Sequence, residues 1–242
     1  MSSAKQVISN AFESSAADRL ARFINQQGIT SREAIPLTPD ASTRKYYRIG
    51  WKKQTAVAAV YAEPFDPEFH PYLDVTRLFL ECDLPVPEIY AVDGAAGIIV
   101  QEDLGDQQLF QVYEEEPEEK CDEHKEEAIA LIARIQKATQ KAYELDSIAS
   151  RLAFDEAKLS WELDFFFEHY FGSLRGETMR HAESAELKAE LNDIAAELAA
   201  VPRVLCHRDY HAANLMIDKK DRMRIVDHQD ARMGPACYDL VS

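Results

Sequence analysis

The sequence predicts an α+β chain in two lobes: a small antiparallel sheet with one inserted helix over residues 1–103, and a mainly helical lobe over 104–242. Three observations predict it. The first hundred residues hold β-rich runs separated by turn residues. Three stretches with helical spacing follow from Leu104. The last forty residues return to short apolar runs divided by polar loops.

Residues 12–27 (FESSAADRLARFINQQ) read as a helix that Gly28 stops. Tyr46–Ile49 and Thr55–Tyr61 read as a hairpin, with Gly50 and two lysines between the strands. Pro64, Pro67 and Pro71 mark a loop, and LDVTRLFLECD after it is a short amphipathic helix ended by Pro85 and Pro87. Ile89–Val92 and Gly97–Glu102 read as two further strands joined by DGAAG. In the second lobe, Ala128, Leu131, Ile132, Ile135, Thr139 and Ala142 share one face of a helix over 125–142. Residues 155–171 form an aromatic-rich helix and 182–200 a third. The run EEEPEEK at 114–120 reads as a solvated, flexible link. VLC, NLMI and RIVD near the end are short strands, and the closing YDLVS opens a helix with no stop signal, so the chain reads as truncated.

Composition narrows the function classes. With 46% hydrophobic residues among 242, the chain can build a core and is not globally disordered. Lys plus Arg is 27 and Asp plus Glu is 43, a net charge of −16. That argues against a partner with a phosphate backbone or an anionic membrane, since both demand clustered cations. The cysteines at 82, 121, 206 and 237 form no CxxC pair, which argues against a disulfide scaffold or a zinc ribbon. The N-terminal residues lack a signal-peptide core, and no apolar run approaches the roughly 18 residues of a membrane helix. The expected compartment is the cytoplasm.

The chemistry concentrates in His207-Arg208-Asp209-Tyr210-His211-Ala212-Ala213-Asn214, a loop between two apolar strands. Asp227 follows at the end of RIV. Asp, Asn and a second Asp form a hard-oxygen set suited to Mg²⁺, which is held by few carboxylates together with substrate phosphates. The spacing H-x-D-x-x-x-x-N before a strand-end Asp is a phosphoryl-transfer arrangement. Asp209 then accepts the proton of the attacking hydroxyl, and Asn214 and Asp227 hold metal. The plain alternative is a set of polar turn residues satisfying loop backbone, and the whole spacing weighs against it. A metal-hydrolase reading would use His207, His211 and His228, but the first two fall in a loop without the glutamate of HExxH. His207 reads as a buried loop anchor and His211 as a candidate substrate contact. His70, His124, His169 and His181 read as surface residues.

No GxxxxGK[ST] or GxGxxG loop is present, so a nucleotide needs another cradle in the first lobe. Ala41, Ser42 and Thr43 offer backbone N–H groups and hydroxyls to phosphates, with Arg44 or Arg48 supplying charge. An ordinary turn followed by solvated strand charges is the alternative. In Gln101-Glu102-Asp103-Leu104-Gly105 an exposed strand edge at Glu102 and Leu104 can hydrogen-bond adenine. There the alternative is a plain interdomain linker.

Together these segments resemble the aminoglycoside phosphotransferase and choline-kinase-like superfamily, relatives of protein kinases. DASTRKYYR, QEDLGD, CHRDYHAANLM and IVDHQDARMGPACYDL are most similar to its bacterial branch that phosphorylates the anomeric hydroxyl of N-acetylmuramate and N-acetylglucosamine. The resemblance runs from about Pro36 to the last residue. It implies a two-lobed protein-kinase-like fold with the site in the cleft, use of ATP and Mg²⁺, and a small amino sugar as substrate. It maps the base onto Asp209, metal ligands onto Asn214 and Asp227, and a structural brace onto Asp239. It places the helix Trp161–Phe171 beside the acceptor, with Glu162 and Asp164 as sugar contacts; most of its Phe residues read as core. Two departures stand out. The third strand reads Ala56-Val57-Ala58-Ala59-Val60 where many relatives carry Lys, and the C-terminal helices of the family are not in this chain. Rival readings are a kinase for an aminoglycoside or amino alcohol, and a pseudokinase that only binds nucleotide.

Overall fold

The computed structural model describes residues 15–29, 34–37, 44–115, 117–176 and 181–242. These form two compact units, one drawn from Met1–Glu116 with Ala212–Val226, the other from Pro117–His211 with Asp227–Ser242. Helices take over the sequence at Leu104, but packing divides the chain elsewhere.

The first unit begins with α1 (Ala16–Gln26). Ser15 caps it by accepting from the Asp18 N–H at 3.2 Å, and Gly28 leaves it at φ +66°. Five strands follow: β1 (Ala34–Pro36), β2 (Lys45–Trp51), β3 (Gln54–Val60), and, after α2 (Pro71–Glu81), β4 (Ile89–Asp93) and β5 (Ile98–Glu102). They form one antiparallel sheet in the order β1-β2-β3-β5-β4. The β2–β3 register pairs Trp51 with Gln54, so the turn is Lys52-Lys53 with Lys52 at φ +54°. Gly50 therefore lies inside the ladder opposite Thr55, not between the strands.

Alternate residues of β2, β3 and β5 face α1. Small Ala56 and Ala58 let its Leu20, Phe23 and Ile24 approach, and Phe23 stacks on Trp51 with centroids 6.3 Å apart. Each such side chain taken from water contributes about 1.5–3 kcal/mol. Arg19 pins the helix by donating to the carbonyls of Ala96 at 2.6 Å and Tyr61 at 2.7 Å.

Apart from Glu116, which lies outside the described residues, the acidic run 114–120 is ordered helix and cap, not the flexible link expected. Its described residues belong to α3 (Leu109–Glu115) and α4 (Glu118–Lys137), with Pro117 in the cap position between them. Glu118 and Glu119 sit in the first turn of α4, where the helix dipole favours negative charge. His124 is buried on α4, not at the surface as expected. It continues by steps of three and four the stripe of Cys121, Ala128, Leu131 and Ile135.

The second unit continues through α5 (Thr139–Glu144), α6 (Ile148–Arg151), α7 (Glu156–Phe167) and α8 (His181–Ala200). α7 widens into a π-helical turn over Glu168–Leu174. The aromatic helix departs from the core packing expected of it. Leu159 is its buried residue, whereas Trp161, Phe165 and Phe166 are 56%, 52% and 47% exposed. Among the described residues of this helix, Leu159 and Leu163 meet the cluster of Phe154 and Ala195. The outer rings pack on one another, Trp161 on Phe165 and Phe166 on Tyr170.

β6 (Arg203–Cys206) follows; β7 (Leu215–Ile217) and β8 (Met223–Ile225) return to the first unit; β9 (Arg232–Pro235) and α9 (Tyr238–Val241) complete the second. β6 pairs antiparallel with β9, a strand the sequence reading did not include. Gly234 is required there: a Cβ would stand 2.6 Å from the Phe154 ring and 3.2 Å from the Cys206 sulfur. In the first unit β7 pairs with β8, and it is tied on by Ile217 N–H to the Gln107 carbonyl and Ile225 N–H to the Pro85 carbonyl, both at 2.9 Å. Among the described residues no helix is long and apolar enough to cross a membrane.

Candidate active site

The loop His207–Asn214 leaves the end of β6 and enters β7. In the second unit its first half is built around Asp239, which is 3% exposed. One Asp239 oxygen accepts the His207 N–H at 2.7 Å and the other the Arg208 N–H at 3.0 Å. Burial drives the Asp239 pKa upward, and the two N–H donors offset only part of that. Buried Tyr210 locks the next turn by donating its hydroxyl to the Ala128 carbonyl at 2.8 Å.

Arg208 holds φ +87°, a conformation costly for a residue with a side chain. This backbone turn carries the Asp209 carboxylate, whose side chain is 36% exposed and lies 3.0 Å from the Arg208 guanidinium. Asp230 is 3.8 Å from the same guanidinium. The His211 N–H donates to the Asp209 carbonyl at 3.2 Å, and the His211 side chain is exposed. His207 is fully buried, so the pair that a zinc hydrolase would use is split between interior and surface. Among the described residues no group of three or more His, Cys, Asp or Glu side chains is placed to hold a metal.

Asn214 ends the loop in the first unit, where its carbonyl accepts the Val226 N–H at 3.0 Å. The β7–β8 pairing thus brings Asn214 beside the residue that precedes Asp227. Asp227 takes φ +60°, and one of its oxygens accepts from the Gln229 side-chain amide at 2.8 Å. Next to it, His228 is completely buried; burial, with His207 nearby, lowers its pKa to about 3, so it is neutral near pH 7.

The strand edge proposed for the nucleotide lies in the first unit. Glu102 closes β5, and its N–H donates to the Glu88 carbonyl at 2.8 Å. Leu104 is buried, and among the described residues its N–H takes no backbone partner. Ala41, Ser42 and Thr43 lie outside the described residues. Arg44 stands 5.8 Å from the ring centroids of both Tyr46 and Tyr61. Arg48 is already committed: it reaches Asp103 at 2.8 Å and Asp106 at 2.7 Å. The hydrogen bonds it donates to Asp106 and Asp103 hold its pKa above the usual arginine range. Its charge therefore braces the 103–106 loop. On α7, Glu162 is 3.3 Å from Lys158, and Asp164 is 3.9 Å from Lys188.

Residues 33–242 match the phosphotransferase enzyme family. The chain belongs to that family. Its relatives include the N-acetylmuramate/N-acetylglucosamine kinases of Pseudomonas aeruginosa and Neisseria meningitidis, at 30% and 29% identity. The matches cover 86% and 84% of this chain but 58% of each relative, so the chain spans little more than half their length. Among solved structures, aminoglycoside phosphotransferase APH(4)-Ia with ADP and hygromycin B superposes with TM-score 0.62 at 15% identity, covering 91% of this chain and 74% of that one. Choline kinase LicA from Streptococcus pneumoniae gives 0.56 at 15%, covering 93% and 73%. At such identities these likenesses establish the phosphotransferase fold, the protein-kinase-like α+β arrangement expected from the sequence.

Proposed function

We propose that the chain carries the phosphoryl-transfer machinery of an ATP- and Mg²⁺-dependent small-molecule kinase, with the anomeric hydroxyl of an N-acetylmuramate- or N-acetylglucosamine-like sugar as acceptor. The observation that carries this reading is the Asp209 carboxylate, presented on a strained backbone that buried Asp239 holds from beneath. Asp209 accepts the proton of the sugar hydroxyl as the hydroxyl oxygen attacks the γ-phosphorus and the bond to the bridging oxygen of ADP breaks, releasing ADP. An anomeric hydroxyl is more acidic than an ordinary alcohol, so positioning and electrostatics need only a modest base.

A carboxylate and an amide oxygen, Asp227 and Asn214, are a donor set that fits Mg²⁺, which keeps several waters and shares phosphate oxygens. Bound there, the ion neutralises charge on the phosphates. The Leu104 N–H and the Glu102 carbonyl face the adenine edge, and Arg44 with Ala41, Ser42 and Thr43 serves the phosphates, residues 1–103 thus supplying the nucleotide-binding lobe. His207 anchors the loop, while Glu162, Asp164 and His211 contact the sugar. The reaction draws on ATP and is assigned to the cytoplasm.

The test compares the chain with its Asp209→Asn variant, given ATP, Mg²⁺ and either free sugar or its 1-O-methyl glycoside. The variant should retain ATP binding and lose on the order of 10²–10⁴ in turnover. The glycoside should be inert. Turnover of the glycoside would move transfer to another hydroxyl; turnover only with an aminoglycoside or amino alcohol would replace the sugar. ATP binding with no turnover of any acceptor would leave the pseudokinase reading.

A further inference from the structure

Arg224 on β8 is 7% exposed, yet it carries a full charge. All five of its N–H directions are used. Nη1 donates to Glu102 Oε1 at 2.9 Å and to Asp218 Oδ2 at 3.3 Å. Nη2 donates to Glu102 Oε2 and to the Val86 carbonyl, the latter at 3.0 Å. Nε reaches the Pro85 carbonyl at 3.3 Å. One planar group thus joins the end of β5, the segment entering β4 and the β7–β8 hairpin, all within the first unit. Burial works against the Glu102 carboxylate, but its hydrogen bonds and ion pair with Arg224 outweigh that and hold its pKa below the usual range.

A buried ion pair is a poor device if stability is the only end, because apolar packing of the same volume serves as well or better. What it does give is a fixed geometry. Here the fixed object is a strand end. The Glu102 side chain is turned inward and held at both oxygens, and one oxygen also accepts the Glu88 N–H at 3.3 Å. The direction of the Glu102 carbonyl and the course of the backbone to Leu104 follow from that grip. We propose that Arg224 is a positioning residue that sets the base selectivity of the nucleotide edge at Glu102–Leu104. This rests on the adenine reading given above. Adenine offers an acceptor at N1 and a donor at N6, whereas guanine reverses both. A carbonyl and an N–H held at fixed spacing accept the first and reject the second.

The test titrates ATP and GTP separately into the full chain and into its Arg224→Lys and Glu102→Gln variants, with melting temperatures taken alongside. Lysine keeps the charge but not the fork. In the wild-type chain ATP should bind more tightly than GTP. In either folded variant ATP affinity should fall about tenfold, the worth of one charge-assisted hydrogen bond. GTP affinity should fall less, so that the preference collapses. Equal losses for both nucleotides, or an unchanged preference, would reduce Arg224 to a structural residue and overturn the inference. Should Arg224→Lys fail to fold, Glu102→Gln alone decides by the same criterion. A wild-type chain that binds ATP and GTP equally would instead overturn the adenine reading of this edge.

Discussion

Glu102 and Asp103 are neighbours in the chain, yet each is gripped by a different arginine. Asp103 is held by Arg48 from β2, which shares itself with Asp106. Glu102 is held by Arg224 from β8, which shares itself with Asp218. Each arginine thus bridges two carboxylates, but their surroundings differ. Side-chain exposure is 21% for Arg48 and 76% for Asp106, against 8% for both Arg224 and Asp218. The remaining carboxylates run the other way, 2% exposed for Asp103 and 24% for Glu102, so water and salt screen the Asp106 arm most and the Arg224–Asp218 arm least. A tally of ion pairs would rate the two as equals; desolvation says that breaking them has different consequences.

The largest effect should come from Arg224→Met, which takes the arginine from half-buried Glu102 and leaves buried Asp218 with Arg222 alone as its charged partner. Denaturant unfolding should show a loss of about 3–5 kcal/mol; a loss below about 1 kcal/mol would erase the distinction between the clusters. Arg48→Met should cost less, about 1–3 kcal/mol. The Asp103 side chain is only 2% exposed, but it still accepts the Gly105 N–H at 3.1 Å.

Acid sharpens the same contrast. Burial opposes the Asp218 carboxylate, yet hydrogen bonds from Arg222, Lys220 and Arg224 bring its pKa down to about 2. Its folded pKa lies below its unfolded one, so its contribution is fully present above about pH 4 and disappears as pH falls toward 2. Glu102 and Asp103 are shifted in the same direction. Stability followed from pH 6 downward should therefore hold until about pH 4 and then decline, by roughly 1–2 kcal/mol for Asp218. A decline already complete at pH 5 would assign the effect to other groups. The smallest effect belongs to Asp106→Asn, at about 0–1 kcal/mol and vanishing in about 1 M salt. A loss that persists in salt would show the exposed arm to be better shielded than its surface position implies.

Much of the fold was legible because its elements are local. β2, β3, β4 and β5 show as β-rich runs bounded by glycine and proline, α4 as a regular stripe and α8 as a helical run. β1 and β9 were not, since Ala34–Pro36 and Arg232–Pro235 have no strand pattern of their own and owe their pairing to β2 and β6. The loop around Asp209 stands out because its polar residues interrupt two apolar strands. The arginine pairings carry no such mark. Arg48 is 55 residues from Asp103, and a charge inside Met223–Ile225 reads as solvent-facing until the fold shows what surrounds it. On α7 the aromatic content suggested core, because composition counts rings without saying which side of the helix they occupy.

The return of Ala212–Val226 to the first unit also sets a timetable for synthesis. Glu102 leaves the ribosome 122 residues before the arginine that will hold it. At cellular elongation rates that is a wait of roughly ten seconds. Throughout it the β5 end keeps its carboxylate in water, and the Gln107 and Pro85 carbonyls lack the strand N–H groups that later tie them down. The N-terminal part of this chain therefore cannot mature as a finished domain ahead of the rest. Its last pieces arrive only after α4 to α8 of the second unit have been made, and a nascent chain arrested before Arg224 would hold the sheet without the clamp that finishes its edge.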